Sequence, residues 1–235
     1  MHRLCAALLA LMASAAGAHA ESLAELLEAV GANARFDVPT RADVRIECSA
    51  GCAASGGRAI ILGRGDRLYV EVKGGQRALI LPDKVLVAEG GKAAEATPGR
   101  PLADTDVLLE DLRVFAPASL KMPQISDDGP AGVVVTAAPA GRSAYVLLVH
   151  TIDRDQRSIV RTLYYRDAIN ALSKVRRDGG FVRVGRQSRP GEITVEMTRQ
   201  ETSTRLKLAW REVPDAPPLL FESAGLQQPS GLSWP

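Results

Sequence analysis

The sequence predicts a mostly β protein of the α+β class: a curved antiparallel meander of roughly ten or eleven strands with helices over its apolar concave face. Three observations predict it. Short apolar-alternating runs recur along most of the chain. Turn residues separate them at hairpin spacing. Only two segments carry a helical period, one near each end of the first half.

The chain begins with a segment that reads as a secretory signal over residues 1–20. Met1-His2-Arg3 is a short positive start, Leu4 to Ala16 an apolar run, and Ala18-His19-Ala20 a small-x-small cleavage site. The apolar run is shorter than the ~20 residues a membrane span needs. The expected mature chain starts at Glu21 and is exported, with one domain over 21–226 and a flexible tail over 227–235.

The first helix is expected over Ser22 to Ala34. Leu23, Leu26, Leu27 and Val30 form one apolar stripe, and Ser22 with Glu25 forms a capping box. Gly31 and Pro39 bracket its end. This helix is expected to act as a lid over the open side of the sheet. Period two then takes over: Val44 and Ile46, a hairpin of Ile60-Ile61-Leu62 with Leu68, Val70 and Val72, then Ala78 to Leu81 and Val85 to Val87. Residues 88–101 are expected as loop. Asp104 to Phe115 is expected as a second helix, capped by Asp104, Thr105 or Asp106, with Leu108, Leu109 and Leu112 on its apolar side. Pro117, Pro123 and Pro130 mark a second loop tipped by Asp127-Asp128-Gly129. The remaining expected strands are 133–135, 144–152, 159–165, 171–175, 181–184, 192–197 and 204–210.

Two cysteines remain after cleavage, Cys48 and Cys52. An even pair in an exported chain suggests a disulfide, which needs the chain to turn back at Gly51 because a straight strand holds such positions ~13 Å apart. The spacing is C-x-x-x-C, not the C-x-x-C of redox pairs.

The net charge of +2, from 29 basic and 27 acidic residues, excludes a push toward nucleic acid. Basic residues do thicken between Arg154 and Arg189, which reads as a solvated sheet face or a docking face for an acidic partner. His150 is the lone histidine of the expected mature chain, and no nucleophile, phosphate-loop or zinc motif occurs. No catalytic residue, metal site or cofactor is therefore expected, and the chain is not expected to be an enzyme. Aromatic content of 4% also weakens sugar binding by stacking.

Several segments resemble the outer-membrane lipoprotein-sorting family, the LolA-like group. They are Gly65-Asp66-Arg67-Leu68-Tyr69-Val70, then Ala78 to Asp83, then Ala103 to Leu112 with its Glu110-Asp111-Leu112. Gly141 to Tyr145, Arg199 to Leu208 and the closing Leu219 to Leu226 add to it. Where the family often has Gly, Phe and Tyr, this chain has Ala103, Val107 and Leu109. The resemblance implies an incomplete barrel with a helical lid over a greasy cavity that binds the acyl chains of lipoproteins or lipids. It further implies an inner-membrane transporter and an outer-membrane acceptor as partners. By strand period, the expected cavity residues are Leu68, Val70, Val72, Leu79, Leu81, Ile193, Val195, Met197, Leu206, Leu208 and Trp210. A sensor or accessory module of an envelope or exporter complex is the alternative.

Overall fold

The computed structural model describes residues 21–49, 56–89 and 91–234. The expected signal segment and Cys52 lie outside them. Cys48 is disulfide-bonded, and its sulfur accepts from the Thr204 hydroxyl at 3.8 Å.

One helix, α1 (Leu23–Ala34), precedes fifteen strands. Ser22 and Glu25 close the reciprocal capping box that the sequence indicates. The strands are β1 (Phe36–Cys48), β2 (Arg58–Gly65), β3 (Arg67–Val72), β4 (Arg77–Ile80), β5 (Val85–Glu89), β6 (Lys92–Glu95), β7 (Leu120–Gly129), β8 (Gly132–Pro139), β9 (Leu147–Asp153), β10 (Ser158–Tyr165), β11 (Leu172–Gly179), β12 (Val182–Val184), β13 (Gln187–Arg189), β14 (Glu192–Met197) and β15 (Ser203–Glu212). Thirteen of them form one antiparallel sheet in the order β6-β5-β4-β3-β2-β1-β15-β14-β11-β10-β9-β8-β7. β12 and β13 form a separate hairpin.

The topology reduces to two meanders sewn together where β1 pairs β15, from Thr40 opposite Glu212 to Cys48 opposite Thr204. The sheet stays open, with β6 and β7 as its two edges. These edge strands are consecutive in sequence, so the segment joining them, residues 96–119, must cross the mouth of the curved sheet. We call it the strap.

The strap is where sequence and structure differ most. The expected helix over Asp104 to Phe115 does not form; only Leu109–Leu112 makes a single 3-10 turn. Ala103 and Asp104 have positive φ, 47° and 58°, which breaks a right-handed helix. The backbone turns back on itself, Leu102 N donating to Val107 O at 2.8 Å and Leu109 N to Arg100 O at 2.9 Å. The Asp106 carboxylate, expected as a cap, instead accepts from Thr202 Oγ1 and Thr204 Oγ1 on or beside β15. Extended this way, the strap buries Leu102, Val107, Leu109 and Leu112, which no single helical stripe contains.

Other expected loops are strands. Residues 92–95 fold back on β5 as β6. Residues 120–129 form edge strand β7 despite Pro123, because the register slips between Lys121 and Gln124 and the proline needs no partner for a missing N–H. The short polar β13 has no apolar alternation to reveal it.

Three apolar clusters result. On the concave face, the strap residues Leu102, Val107, Leu109 and Leu112 cover β1–β5, β14 and β15. Leu26, Leu27 and Val30 of α1, with Leu23 half-buried, cover Val133, Val135, Ala137 and Ile152 of β8 and β9. On the convex face, Ile60, Leu62, Tyr69 and Leu79 lie under Leu220, Phe221 and Leu226 from two 3-10 turns, Pro218–Phe221 and Ser223–Leu226. The segment expected as a flexible tail continues this cover. Leu232 and Trp234 pack on the same cluster, Arg41 donates to Ser233 O at 2.6 Å, and Arg77 donates to Gln228 O. Two unpaired apolar faces on one sheet require two covers, and the C-terminus supplies the second.

Leu226 is fully buried in that outer cluster. Leu226→Ala is therefore expected to cost about 2–4 kcal/mol in urea unfolding. A loss within ~0.5 kcal/mol, the size of a surface substitution, would show that the C-terminal cover lies outside the cooperative fold.

Candidate functional site

The expected cavity residues do not all share a face. Leu68, Val70 and Val72 of β3, Ile193 and Val195 of β14, and Leu206, Leu208 and Trp210 of β15 belong to the concave cluster. Met197 is half-buried and pairs with Lys174 across β11. Leu79 and Leu81 belong to the convex cluster instead. Ala78 and Ile80 take the concave positions on β4, Ala78 opposite Val70 and Ile80 opposite Leu68. The run Ala78 to Leu81 is apolar on both faces because both are covered, so alternation cannot say which face is inside.

A cavity of about 160 Å³ opens where α1, the strap and the concave sheet meet. Its walls include Val30 and Ala34 of α1, Leu112 to Phe115 of the strap, and Phe36, Ile61, Leu68, Ile193, Leu208 and Trp210 of the sheet. Gly63 shapes one wall: a β-carbon there would lie 2.6 Å from the Phe36 ring, so only glycine lets that ring rest on β2. Phe36 stacks at 6.0 Å against Trp210. Trp210 donates its indole N–H to Pro190 O at 2.7 Å. A second cavity of about 130 Å³ lies on the other side of the strap, lined by Tyr145, Leu148, His150, Ile159 and Tyr164. Arg113, Val114 and Phe115 line both.

Between the two concave clusters runs a polar strip that sequence reasoning missed. On β11 the inward positions are Lys174, Arg176 and Asp178, opposite Met197, Val195 and Ile193. Here the charged residues face in, so the usual rule of apolar-in alternation reads the strand backwards. Lys174 forms an ion pair with Asp111 of the strap, both side chains almost fully buried. Asp111 also accepts from the Tyr145 hydroxyl at 2.6 Å and from Leu108 N at 2.7 Å. The ammonium lies 5.2 Å from the Tyr145 ring centre and 5.0 Å from that of Tyr164. Burial pulls the Lys174 ammonium below its usual range, while Asp111 pulls it back up. Burial, then Asp111, pushes the Tyr145 phenol well above its usual range. Arg176 holds Asp178 through two bonds of 2.6 Å and also donates to Asp111 O. Glu110 ties the strap to neighbouring loops, accepting from Gly99 N and Ser143 Oγ, each at 2.8 Å. The Glu110-Asp111-Leu112 triplet thus divides its work: loop anchor, ion pair, core contact.

α1 is held at both ends. Glu21 receives Arg154 and Arg157. Arg189 of β13 donates to Asn33 O, Ala34 O and Arg35 O, the exposed carbonyls of the helix C-terminus. Its guanidinium stacks 4.0 Å over Phe36, and burial pulls it down to about 10. The basic run from Arg154 to Arg189 is accordingly split. Arg176 and Arg189 turn inward, while Arg177 pairs with Glu196 on the outer face. Among the described residues no group of three His, Cys, Asp or Glu could hold a metal ion, and no helix is long and apolar enough to cross a membrane.

Two expected outcomes follow from the strip. Lys174→Met leaves the Asp111 charge buried and is expected to cost about 3–5 kcal/mol; adding Asp111→Asn, which removes the charge but keeps an acceptor, should restore part of it in the same urea titration. His150 is buried, hydrogen-bonded through Nδ1 to Thr162 Oγ1 at 3.0 Å, and held neutral, its pKa lowered by burial to about 4 from 6.5. The native state resists a proton that the unfolded chain accepts. Stability is then full above the unfolded value and falls as pH drops toward the folded one, by about 3 kcal/mol from this ring. His150→Gln should flatten that part of the stability–pH curve; an unchanged slope between pH 7 and 4 would refute the assignment.

The architecture has known counterparts. No family model matches the sequence, and no curated protein matches it. Among solved structures, a protein domain assigned to outer membrane lipoprotein sorting, from Vibrio parahaemolyticus, superposes with a TM-score of 0.71 at 14% identity, covering 87% of this chain and 97% of that one. A LolA superfamily protein from Nitrosomonas europaea superposes with a TM-score of 0.67 at 16% identity, covering 85% and 96%. A DUF1329 family protein from Desulfovibrio piger gives 0.70 at 10% identity, covering 87% and 98%. The long antiparallel sheet that curls without closing, crossed by a strap and capped by α1, is thus a LolA-like fold.

Proposed function

We propose that this protein is a non-enzymatic periplasmic carrier that takes acyl chains of lipoproteins or lipids into the space beneath the strap and α1. It would receive them from an inner-membrane transporter and release them to an outer-membrane acceptor. The observation that carries this reading is the apolar cavity between two separately covered clusters, in a fold shared with a domain assigned to lipoprotein sorting.

Size decides how it must work. A cavity near 150 Å³ takes a benzene-sized guest. The ≈160 Å³ here therefore holds a few carbons of a chain. A full chain needs the cavities on the two sides of the strap to join. Burying a myristoyl-length chain supplies on the order of 10 kcal/mol at ~0.8 per methylene. Lifting the whole strap would part Asp111–Lys174, about 3–5 kcal/mol, and would uncover Leu102, Val107, Leu109 and Leu112, about 1.5–3 kcal/mol each, which together match or exceed what one chain supplies. Displacing only Val114 and Phe115, the half-buried residues between the two cavities, joins them at a cost within the reach of ligand binding. α1, the expected lid, covers β8 and β9 and is tied at its two ends by Glu21 and Arg189, so it and the strap both border the opening.

The division of the interior by Arg113–Phe115 favours a second reading, a sensor or accessory module whose concave face stays filled. Native mass spectrometry of protein purified from the periplasm separates the two. The carrier reading expects a copurified lipid or lipopeptide, or uptake of a fluorescent acyl probe; neither would leave the module. Leu68→Trp, which fills the cavity from the β3 side, is expected to weaken probe binding at least tenfold, about 1.4 kcal/mol, while overpacking costs about 1–3 kcal/mol of stability. Unchanged probe affinity in a folded Leu68→Trp protein would place the acyl site elsewhere.

A further inference from the structure

The cavity is apolar in its walls but not in its charge. Four arginines line it, Arg113, Arg157, Arg176 and Arg189, against one acidic residue, Asp178; Arg113 also borders two neighbouring pockets beside Glu110. Two of the four are neutralised. Arg157 pairs with Glu21 at 2.5 Å, and Arg176 pairs with Asp178 at 2.6 Å. Arg189 is hydrogen-bonded to backbone carbonyls alone. Arg113 has less still. Among the described residues its guanidinium makes no hydrogen bond or ion pair, and its Nε is buried without a partner. Glu110, three residues earlier on the strap, turns its oxygens to Gly99, Ser143 and Ala144. Buried donors without partners are rare in folded proteins, and each calls for an explanation. A cavity with low-dielectric walls also concentrates the field of uncompensated charge.

We infer that this cavity seats the oxyanion head of a single-chain lipid, a carboxylate or phosphate, on the Arg113 guanidinium. The inference rests on the carrier reading and adds the class of its ligand. The planar guanidinium fork matches a carboxylate or phosphate through paired charge-assisted bonds. A neutral ester offers only a weak acceptor and leaves the charge uncompensated. A volume of about 160 Å³ suits a head group with its first methylenes. The rest of the chain follows the apolar wall of Ile61, Leu68, Ile193 and Leu208 once Val114 and Phe115 give way. Arg113 sits on the strap itself, so a bound anion also ties ligand entry to strap position.

The test is a fluorescence titration of the full chain with cis-parinaric acid and with its methyl ester, which differ only in head charge. The acid is expected to bind about tenfold or more tightly than the ester, the size of a charge-assisted hydrogen bond. Arg113→Gln should bring the acid to the ester's affinity and leave the ester unchanged, while Arg113→Lys should keep part of the preference. Thermal unfolding of each variant checks that it is folded, and the wild-type comparison of acid and ester stands without them. Displacement of bound cis-parinaric acid by palmitate or by lysophosphatidic acid then distinguishes the two sources of the oxyanion, the tighter competitor naming the head group. Equal affinity for acid and ester, or an acid preference that survives Arg113→Gln, overturns the inference and leaves the carrier reading in place. Binding of neither probe overturns both.

Discussion

The buried ion pair between Asp111 and Lys174 fixes the segment that crosses the sheet to the strand beneath it. The sheet is open, and its two edge strands, β6 and β7, are consecutive in sequence. Their connection must cross the mouth of the curved sheet. A crossing segment that never joins the sheet has few backbone partners, so side chains must pin it. Asp111 does so on Lys174, Tyr145 and Leu108, while Asp106 does so on Thr202 and Thr204. Burying two charges gains little over an apolar pair of the same shape, but leaving either one alone is expensive. The pair therefore fixes where the strap lies more than how strongly it is held.

That placement divides the interior. Without the strap, the concave face would be two apolar areas either side of an uncovered charged strip on β11. With it, there are two apolar clusters, one under the strap and one under α1, separated by the strip of Lys174, Arg176 and Asp178. The cavities lie along this seam, where cover from one side ends before cover from the other begins. A seam of this kind is the natural place for a fold to open, because it breaks contacts between units and leaves each unit whole.

The convex face obeys the same constraint. β2–β4 present apolar side chains outward as well as inward, and the C-terminal 3-10 turns with Leu232 and Trp234 close the outer side. The tail is thereby part of the packing. Its Pro- and Ser-rich composition lacks helix or strand periodicity, yet a few well-placed aromatic and leucine residues suffice to dock it.

The sequence by itself determined the β meander, the α1 stripe with its capping box, most hairpins, and the concave positions on β3, β14 and β15. All of these follow from local periodicity and turn chemistry, which a few neighbouring residues encode. The tertiary structure alone decided the rest. Leu79 and Leu81 face outward because a distant C-terminus covers that face, and no alternation survives where both faces are buried. Asp104 to Phe115 is a strap and not a helix because Thr202, Thr204 and Lys174, far along the chain, claim its carboxylates. Lys174, Arg176 and Asp178 point inward for the same reason: their partners come from the strap or from one another across the pleat. Arg113 in the cavity wall is likewise a product of where the strap lies. Charge inside a protein is compensated by groups remote in sequence, so the residues that give this interior its chemistry are the ones that local pattern could not find.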